Sequence, residues 1–134
     1  MAGVRRYEDL EVWQLADELK REVYALTDTG QAAKDLRFRD QIRDSAASNT
    51  KNIAEGFGRF HPGDFAHFME FAVSSAMETQ DSLKDGADRG YFTPQRVANA
   101  QRLVERSIKC STRFIVYLKK EAKRRKTKRA SQNE

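Results

Sequence analysis

The stretch that decides the fold reads NIAEGFGR and runs from Asn52 to Arg59. Its first residues continue an apolar stripe of helical period, whereas the two glycines that follow, Gly56 and Gly58, indicate that the helix ends here. Glycine destabilises a helix interior by about 1 kcal/mol and is favoured just past a helix C-terminus, where the backbone turns left-handed. We therefore predict that Gly58 ends the helix, that Gly56 lies in its last turn, and that Arg59 meets the negative end of the helix dipole.

The composition around this stretch favours long helices. The chain has 134 residues, of which 39% are hydrophobic and 34% are charged, a balance that suits thin amphipathic helices better than a buried parallel sheet. Two prolines and seven glycines give the chain few breaks. At this length we expect a single folded domain.

Neither a membrane anchor nor a disulfide is expected. No apolar run approaches the roughly 20 residues needed to span a bilayer, and the first residues lack the apolar core of a signal peptide. The one cysteine, Cys110, cannot form an intrachain disulfide, which is typical of a reducing compartment. We therefore expect a cytoplasmic location and no membrane partner.

Apolar residues recur at helical spacing in four segments, which predict helices over about residues 7–28, 32–57, 64–88 and 94–123. The clearest start is Thr93-Pro94, because threonine is a favoured N-cap and proline a favoured first helical residue. Short connections between these helices predict an all-α fold, an up-down-up-down antiparallel four-helix bundle. We expect flexible residues 1–6, a bundle over residues 7–118, and a basic C-terminal extension over residues 119–134 whose end is disordered.

One polar residue interrupts the apolar stripe of the second predicted helix. Asn49 lies between Ala46 and Ile53 in that stripe, so it is predicted to be buried. A buried amide is costly unless it finds a hydrogen-bond partner.

Positive charge is concentrated at the C-terminus. Residues 119–134 contain eight lysines or arginines and two glutamates and carry a net charge of +6, whereas residues 1–118 carry −1. This pattern indicates a basic arm on a nearly neutral body. Such an arm can contact nucleic-acid phosphates without reading bases. The predicted nucleic-acid-binding residues are Lys119, Lys120, Lys123, Arg124, Arg125, Lys126, Lys128 and Arg129.

With this pattern in place, the chain resembles a bacterial family of small four-helix-bundle proteins, the 23S ribosomal RNA intervening-sequence proteins. That family is related to the accessory variability proteins of diversity-generating retroelements. The most specific match is NIAEGFGR itself. Other matches lie along the chain: residues 10–16 (LEVWQLA), 41–43 (QIR), the spaced residues Asp64-Phe65, Phe68, Ala72 and Glu78, and residues 90–92 (GYF). The chain departs from the family pattern at Asn49, where an apolar residue is usual.

The resemblance implies a homopentamer in which five bundles surround a central channel, and a role in an RNA-associated process. It also implies a structural role for the matching motif residues. These are Asn52, Glu55, Gly56, Gly58, Arg59 and Glu78.

Glu55 and Glu78 match carboxylates on adjacent helices of the family, and paired carboxylates could bind a metal ion or transfer protons. A di-iron bundle, however, needs Glu-x-x-His on two helices, and this sequence has none. We expect instead that these carboxylates accept hydrogen bonds from Asn52, Arg59 or Arg43 and fix helix ends.

The remaining reactive side chains predict no catalytic site. His61 and His67 are too few ligands for zinc, and we expect both at the surface. Cys110 is interpreted as a small apolar residue of the fourth helix. We therefore expect no catalytic residue, metal, cofactor or small-molecule substrate.

The sequence leaves two functions open. The first is a non-enzymatic homopentameric scaffold that binds RNA or DNA through its basic arm, with a retroelement reverse transcriptase as one candidate partner. The second is a protein-protein assembly module whose tail only keeps it in solution. An enzyme is the least favoured class.

Overall fold

A computed structural model describes residues 3–133 of the chain, and every regular element in that range is helical. The predicted all-α class is confirmed. A short 3-10 turn over Tyr7–Asp9 precedes five helices: α1 (Glu11–Leu26), α2 (Gly30–Lys34), α3 (Leu36–Phe57), α4 (Pro62–Asp88) and α5 (Pro94–Gln132). The flexibility predicted for residues 1–2 and the disorder predicted for residue 134 lie outside the described residues.

Each of the four long helices packs against two others. α3 and α4 run antiparallel, because Gly56 at the end of α3 faces Phe65 at the start of α4, and Gly86 at the end of α4 faces Phe38 at the start of α3. α5 packs on α4 and α1, and α1 also packs on α3. α3 and α5 therefore lie on opposite sides of the assembly. None of the described helices has the length and hydropathy of a membrane span.

The second predicted helix, residues 32–57, is two helices in the structure. Asp35 leaves the helical conformation, with φ −83° and ψ 87°, and its carboxylate accepts a hydrogen bond from the backbone nitrogen of Phe38 at 3.2 Å. This N-cap starts α3 and separates it from the five-residue α2. The helical period alone did not reveal the break, because the apolar stripe continues across it.

The cap residue Asp35 also holds the connection between α4 and α5. The Tyr91 hydroxyl donates to its second carboxylate oxygen at 2.7 Å, and the Arg89 guanidinium lies 3.6 Å from the same oxygen. The Tyr91 hydroxyl, together with the backbone N–H of Phe38, lowers the pKa of Asp35. One carboxylate thus joins the start of α3 to the end of α4.

The last helix is longer than predicted. α5 continues to Gln132, whereas the sequence predicted a helix end near residue 123 and disorder at the end of the basic extension. Its apolar periodicity stops at Leu118, the last buried residue of the helix. Lysine, arginine, alanine and glutamate are nevertheless good helix formers, and Glu121 forms ion pairs with Arg124 and Arg125 one turn later. Helix propensity therefore continues α5 where burial ends.

The end of α3 differs from its predicted geometry. Gly58 is the C-cap, as predicted, but its φ of −73° is right-handed, so no left-handed stop forms there. A left-handed glycine follows the next helix instead. At Gly90, φ is 76°, and the backbone nitrogen of Tyr91 donates to the carbonyl of Gly86 at 2.9 Å.

Gly56 serves close packing and keeps helical backbone geometry. A Cβ at this position would lie 2.6 Å from the ring of Phe65, a separation that real Cβ atoms do not show. Gly86 has the reciprocal role, since a Cβ there would lie 2.7 Å from the ring of Phe38. In the antiparallel pair, a glycine of each helix therefore packs against a phenylalanine ring of the other helix.

A polar layer divides the core into two apolar clusters. The Ser45 and Thr79 hydroxyls lie 2.8 Å apart, and Ser75 donates to Ser48 at 2.8 Å. Asn49 belongs to this layer and is only 1% exposed, which confirms its predicted burial. One cluster lies towards the α3–α4 loop and the other towards the opposite end. The first cluster includes Val12, Ala16, Ile53, Met69, Ala72 and Leu118, and the second includes Leu19, Val23, Ile42, Ala76, Leu83 and Val104.

The glycines of the motif predict opposite responses to alanine. Gly56→Ala forces the Phe65 ring to move, and overpacking of this kind lowers the free energy of unfolding by about 1–3 kcal/mol. Gly58→Ala meets only the carbonyl oxygen of Glu55 at 3.5 Å, an ordinary contact. That control is expected to leave the free energy unchanged or raise it by up to about 1 kcal/mol. Urea denaturation of both variants checks this, and equal destabilisation would contradict the packing role of Gly56.

The buried amide of Asn49 predicts a stabilising substitution. Neither its nitrogen nor its oxygen has a hydrogen-bond partner among the described residues, and such burial costs about 1–3 kcal/mol. Asn49→Ile is expected to raise the free energy of unfolding by about 1 kcal/mol or more. The control is Asn52→Ile, because Asn52 donates to the carbonyl of Ser48 at 2.9 Å and loses that bond. Destabilisation by Asn49→Ile in thermal or urea unfolding would contradict the prediction.

The carboxylate of Asp35 predicts a pH-dependent variant. A pKa lowered by folding contributes stability above the ordinary carboxyl pKa, and that contribution is lost as pH falls through the lowered pKa. Tyr91→Phe removes the main cause of the lowering. We expect it to destabilise the protein at pH 7 and to do so much less at pH 3. Tyr24→Phe, which removes a hydroxyl with no described carboxylate partner, is the control, and an equal effect of Tyr91→Phe at both pH values would contradict the role of Asp35.

Candidate nucleic-acid interface

The charge of the molecule is concentrated on one helix. Thirteen lysines or arginines and two glutamates lie in α5, which gives residues 94–132 a net charge of +11. Residues 1–93 carry a net charge of −5. The sequence predicted a nearly neutral body over residues 1–118. In the structure, that body combines the first part of a basic helix, α5, with an acidic segment, residues 1–93.

The basic residues of α5 begin well before the C-terminal arm. Five exposed cations follow one face of the helix at intervals of four, three, four and seven residues. Helix geometry places such residues in one row that is about 27 Å long. We refer to this row as the α5 stripe: Arg102, Arg106, Lys109, Arg113 and Lys120.

Several of the predicted arm residues already form ion pairs with carboxylates of the protein. Lys119 lies 2.9 Å from Glu70 of α4 and lowers the pKa of that carboxyl. Arg124 donates to Glu121 at 3.1 Å and lowers the pKa of Glu121 in the same way. Arg125 lies 3.5 Å from the same carboxylate. The other predicted residues form no ion pair with any described residue; they are Lys120, Lys123, Lys126, Lys128 and Arg129.

A groove of about 500 Å³ lies beside the middle of the α5 stripe. Arg106, Lys109 and Arg113 line it from α5, and none of the three forms an ion pair within residues 3–133. Its floor includes Cys110, whose thiol pKa is raised by burial and by nearby Glu11. Cys110 is therefore a partly buried, weakly reactive thiol, in agreement with the sequence interpretation.

The arm also contacts the loop between α3 and α4. Nη1 of Arg125 donates to the carbonyl oxygen of Phe60 at 3.4 Å. Phe60 and His61 of this loop share a groove with Arg125, Lys128 and Arg129. The first residues after NIAEGFGR thus lie against the most basic part of the chain.

An acidic cleft lies between α3 and α4. Asp44, Glu78 and Asp81 line it, together with serine and glutamine side chains. Since α3 is on the side of the molecule opposite α5, the negative and positive surfaces are separated. Polyanions are therefore attracted to α5 and repelled by the cleft.

The family-motif residues serve the end of α3, with one exception. Arg59 donates to Glu55 at 2.9 Å, and its guanidinium lies 4.7 Å from the centre of the Phe68 ring. Asn52 bonds within its own helix, to Ser48. Glu78 is the exception, because it lines the acidic cleft on α4 and has no described hydrogen-bond partner.

No metal site is formed by the described residues. Within residues 3–133, no group of three or more histidine, cysteine, aspartate or glutamate side chains converges. His61 and His67 are both exposed, as the sequence predicted.

Sequence reasoning missed four members of the α5 stripe: Arg102, Arg106, Lys109 and Arg113. Net charge hid them, because the acidic residues of α1, α3 and α4 cancel them in a sum over the first 118 residues. Their i, i+4, i+7 spacing on the polar face of a predicted helix was the signal that could have found them.

The family profile described as 23S rRNA-intervening sequence protein matches residues 8–113. The chain belongs to this family. The match includes Arg102, Arg106, Lys109 and Arg113 of the α5 stripe and ends before the arm. The resemblance seen in the sequence is therefore confirmed, whereas the relation to retroelement accessory proteins stays a prediction.

A solved structure is similar to this chain. It is a protein of unknown function from the S23 ribosomal protein family of Bacteroides thetaiotaomicron, with 21% identity and a TM-score of 0.71. The likeness covers 78% of this chain and 97% of the other. At this identity it shows the fold alone. No curated protein matches the chain.

Proposed function

We propose that this family member is a non-enzymatic, homo-oligomeric scaffold, an up-down-up-down helical bundle that binds nucleic acid, foremost RNA, through α5. The observation that carries the proposal is the net charge of +11 on one helix, with unpaired cations along one exposed face. Unpaired surface cations are free to replace the counterions of a phosphate backbone.

The geometry of α5 favours an extended ligand. From Arg102 to Arg129 the helix is about 40 Å long at 1.5 Å per residue. A phosphate backbone offers regularly spaced charges over such a distance, whereas a small anion would occupy one or two cations. Binding through these contacts is independent of base sequence and weakens as salt rises.

The family membership supports RNA as the nucleic acid, since the family takes its description from 23S rRNA. A pentamer, as the resemblance implies, would multiply the contacts and the affinity. The sharper form of the proposal is a cytoplasmic accessory protein that holds a retroelement reverse transcriptase and its template RNA together.

A second candidate function is an assembly module that binds only proteins. Exposed apolar side chains on α4 favour it: Phe71 is 47% exposed and Met77 is 52% exposed. Apolar surface of this kind marks many protein-protein contacts. Light scattering tests self-association, because a monomer at micromolar concentration would contradict the homo-oligomeric scaffold.

The proposal predicts a charge-specific loss of RNA binding. Replacing Arg106, Lys109 and Arg113 together by glutamine removes three phosphate contacts. We expect the slope of log K against log salt to fall by about 2 for single-stranded RNA, with at least a tenfold loss of affinity at low salt. Fluorescence anisotropy with a labelled RNA, measured across a salt series, gives both quantities.

The matched control removes the same charge elsewhere. Lys34, Arg37 and Lys51 are exposed, lie on α2 and α3, and form no ion pair within the described range. Replacing these three by glutamine should change affinity only slightly, through net charge. An equal loss of RNA affinity in the two triple variants would show that binding depends only on net charge. No loss of affinity in either variant would show that these α5 residues do not contact RNA.

A further inference from the structure

Phe60 is the most exposed large apolar side chain among the described residues, at 92% of its surface. It lies in the short loop between α3 and α4, where the family motif ends. The ring makes no core contact and is therefore open to a ligand outside the fold.

The backbone that presents this ring is held at several points. Gly58 caps α3 on one side, and Pro62 begins α4 on the other. The Phe60 carbonyl accepts a hydrogen bond from Nη1 of Arg125 at 3.4 Å. The ring therefore projects from a loop that is fastened to α5.

Cations surround the ring. Phe60 lines a groove of about 420 Å³ with His61, Arg125, Lys128, Arg129 and Gln132, and no carboxylate is among these lining residues. A second groove, of about 480 Å³, also includes Phe60, together with Arg59, the exposed ring of Tyr117 and one carboxylate, Glu121. An aromatic surface bordered by positive charge complements a flat base joined to a phosphate.

We propose that Phe60 is a stacking platform for an unpaired base of single-stranded RNA, whose phosphates contact Arg125, Lys128 and Arg129. This inference rests on the proposed RNA binding by α5 and adds a preference for unpaired nucleotides. Bases in a duplex are stacked on one another and cannot cover the ring. Proteins that bind single strands combine such aromatic platforms with a basic groove. An apolar protein partner fits less well, because it would bury Lys128 and Arg129, which have no opposite charge among the described residues.

The test compares a labelled single-stranded RNA of twelve nucleotides with an RNA duplex of twelve base pairs, by fluorescence anisotropy on the full chain. Phe60→Ala is expected to weaken single-strand binding about 5- to 150-fold, the range that stacking on one aromatic ring supplies. Duplex binding and the salt slope should stay unchanged. Phe60→Trp should retain single-strand binding, whereas Phe60→Leu, apolar but without a ring, should lose it.

Leu36→Ala is the control, since it removes another exposed apolar side chain, 58% exposed, at the end of α3 opposite to Phe60. It should not change the affinity for either RNA. If wild type binds RNA and Phe60→Ala binds both RNAs with the same affinity as wild type, the stacking role is overturned and the proposed function stands. The same conclusion follows if Phe60→Leu binds single-stranded RNA like wild type. Absence of salt-dependent RNA binding by wild type overturns both proposals. If Phe60→Ala changes the molar mass of the assembly in light scattering but leaves RNA binding unaltered, the ring forms a protein contact and the stacking role is overturned.

Discussion

The close approach of α3 to α4 is the contact on which the rest of the structure depends. At each end of the pair a phenylalanine fills the space that a glycine leaves: Phe65 against Gly56, and Phe38 against Gly86. Because the two contacts lie at opposite ends and are reciprocal, the helices cannot slide past each other without a clash. The register of α3 on α4 fixes the loop between them, and with it the ring of Phe60.

The fold was predictable where it depends on local pattern and not where it depends on tertiary contact. Apolar periodicity predicted the four long helices, and Thr93 caps α5 through a hydrogen bond from the backbone nitrogen of Arg96 at 3.3 Å, in agreement with the predicted start. The burial of Asn49 followed from its place in the stripe. The sequence showed Gly56 only as a glycine, because its function is set by a ring on another helix. The break at Asp35 likewise depends on a cap that the stripe conceals.

The candidate site was predictable only in part, because charge was summed along the chain and not around a helix. The eight basic residues of the arm are conspicuous as a run, but Lys119 is already paired with Glu70. Arg106 and its neighbours in the α5 stripe are spaced one turn apart and are diluted by acidic residues of other helices. The predicted up-down-up-down order places the loop and the arm at the same end of the bundle. The sequence does not show that Arg125 bonds the Phe60 backbone or that the Phe60 ring stays exposed.

α5 is anchored along only part of its length. Its core contacts end at Leu118, and beyond that residue eight cations occupy the eleven positions from Lys119 to Arg129. Like charges one turn apart destabilise a helix, so the helicity of this segment is a balance between propensity and repulsion. A polyanion that neutralises these charges shifts the balance towards helix, and by linkage the helical form binds the polyanion more tightly. Helix formation at the end of α5 and polyanion binding to its surface are thus coupled equilibria. Added salt acts on both, because it screens the repulsion between the cations and also weakens the binding of the polyanion.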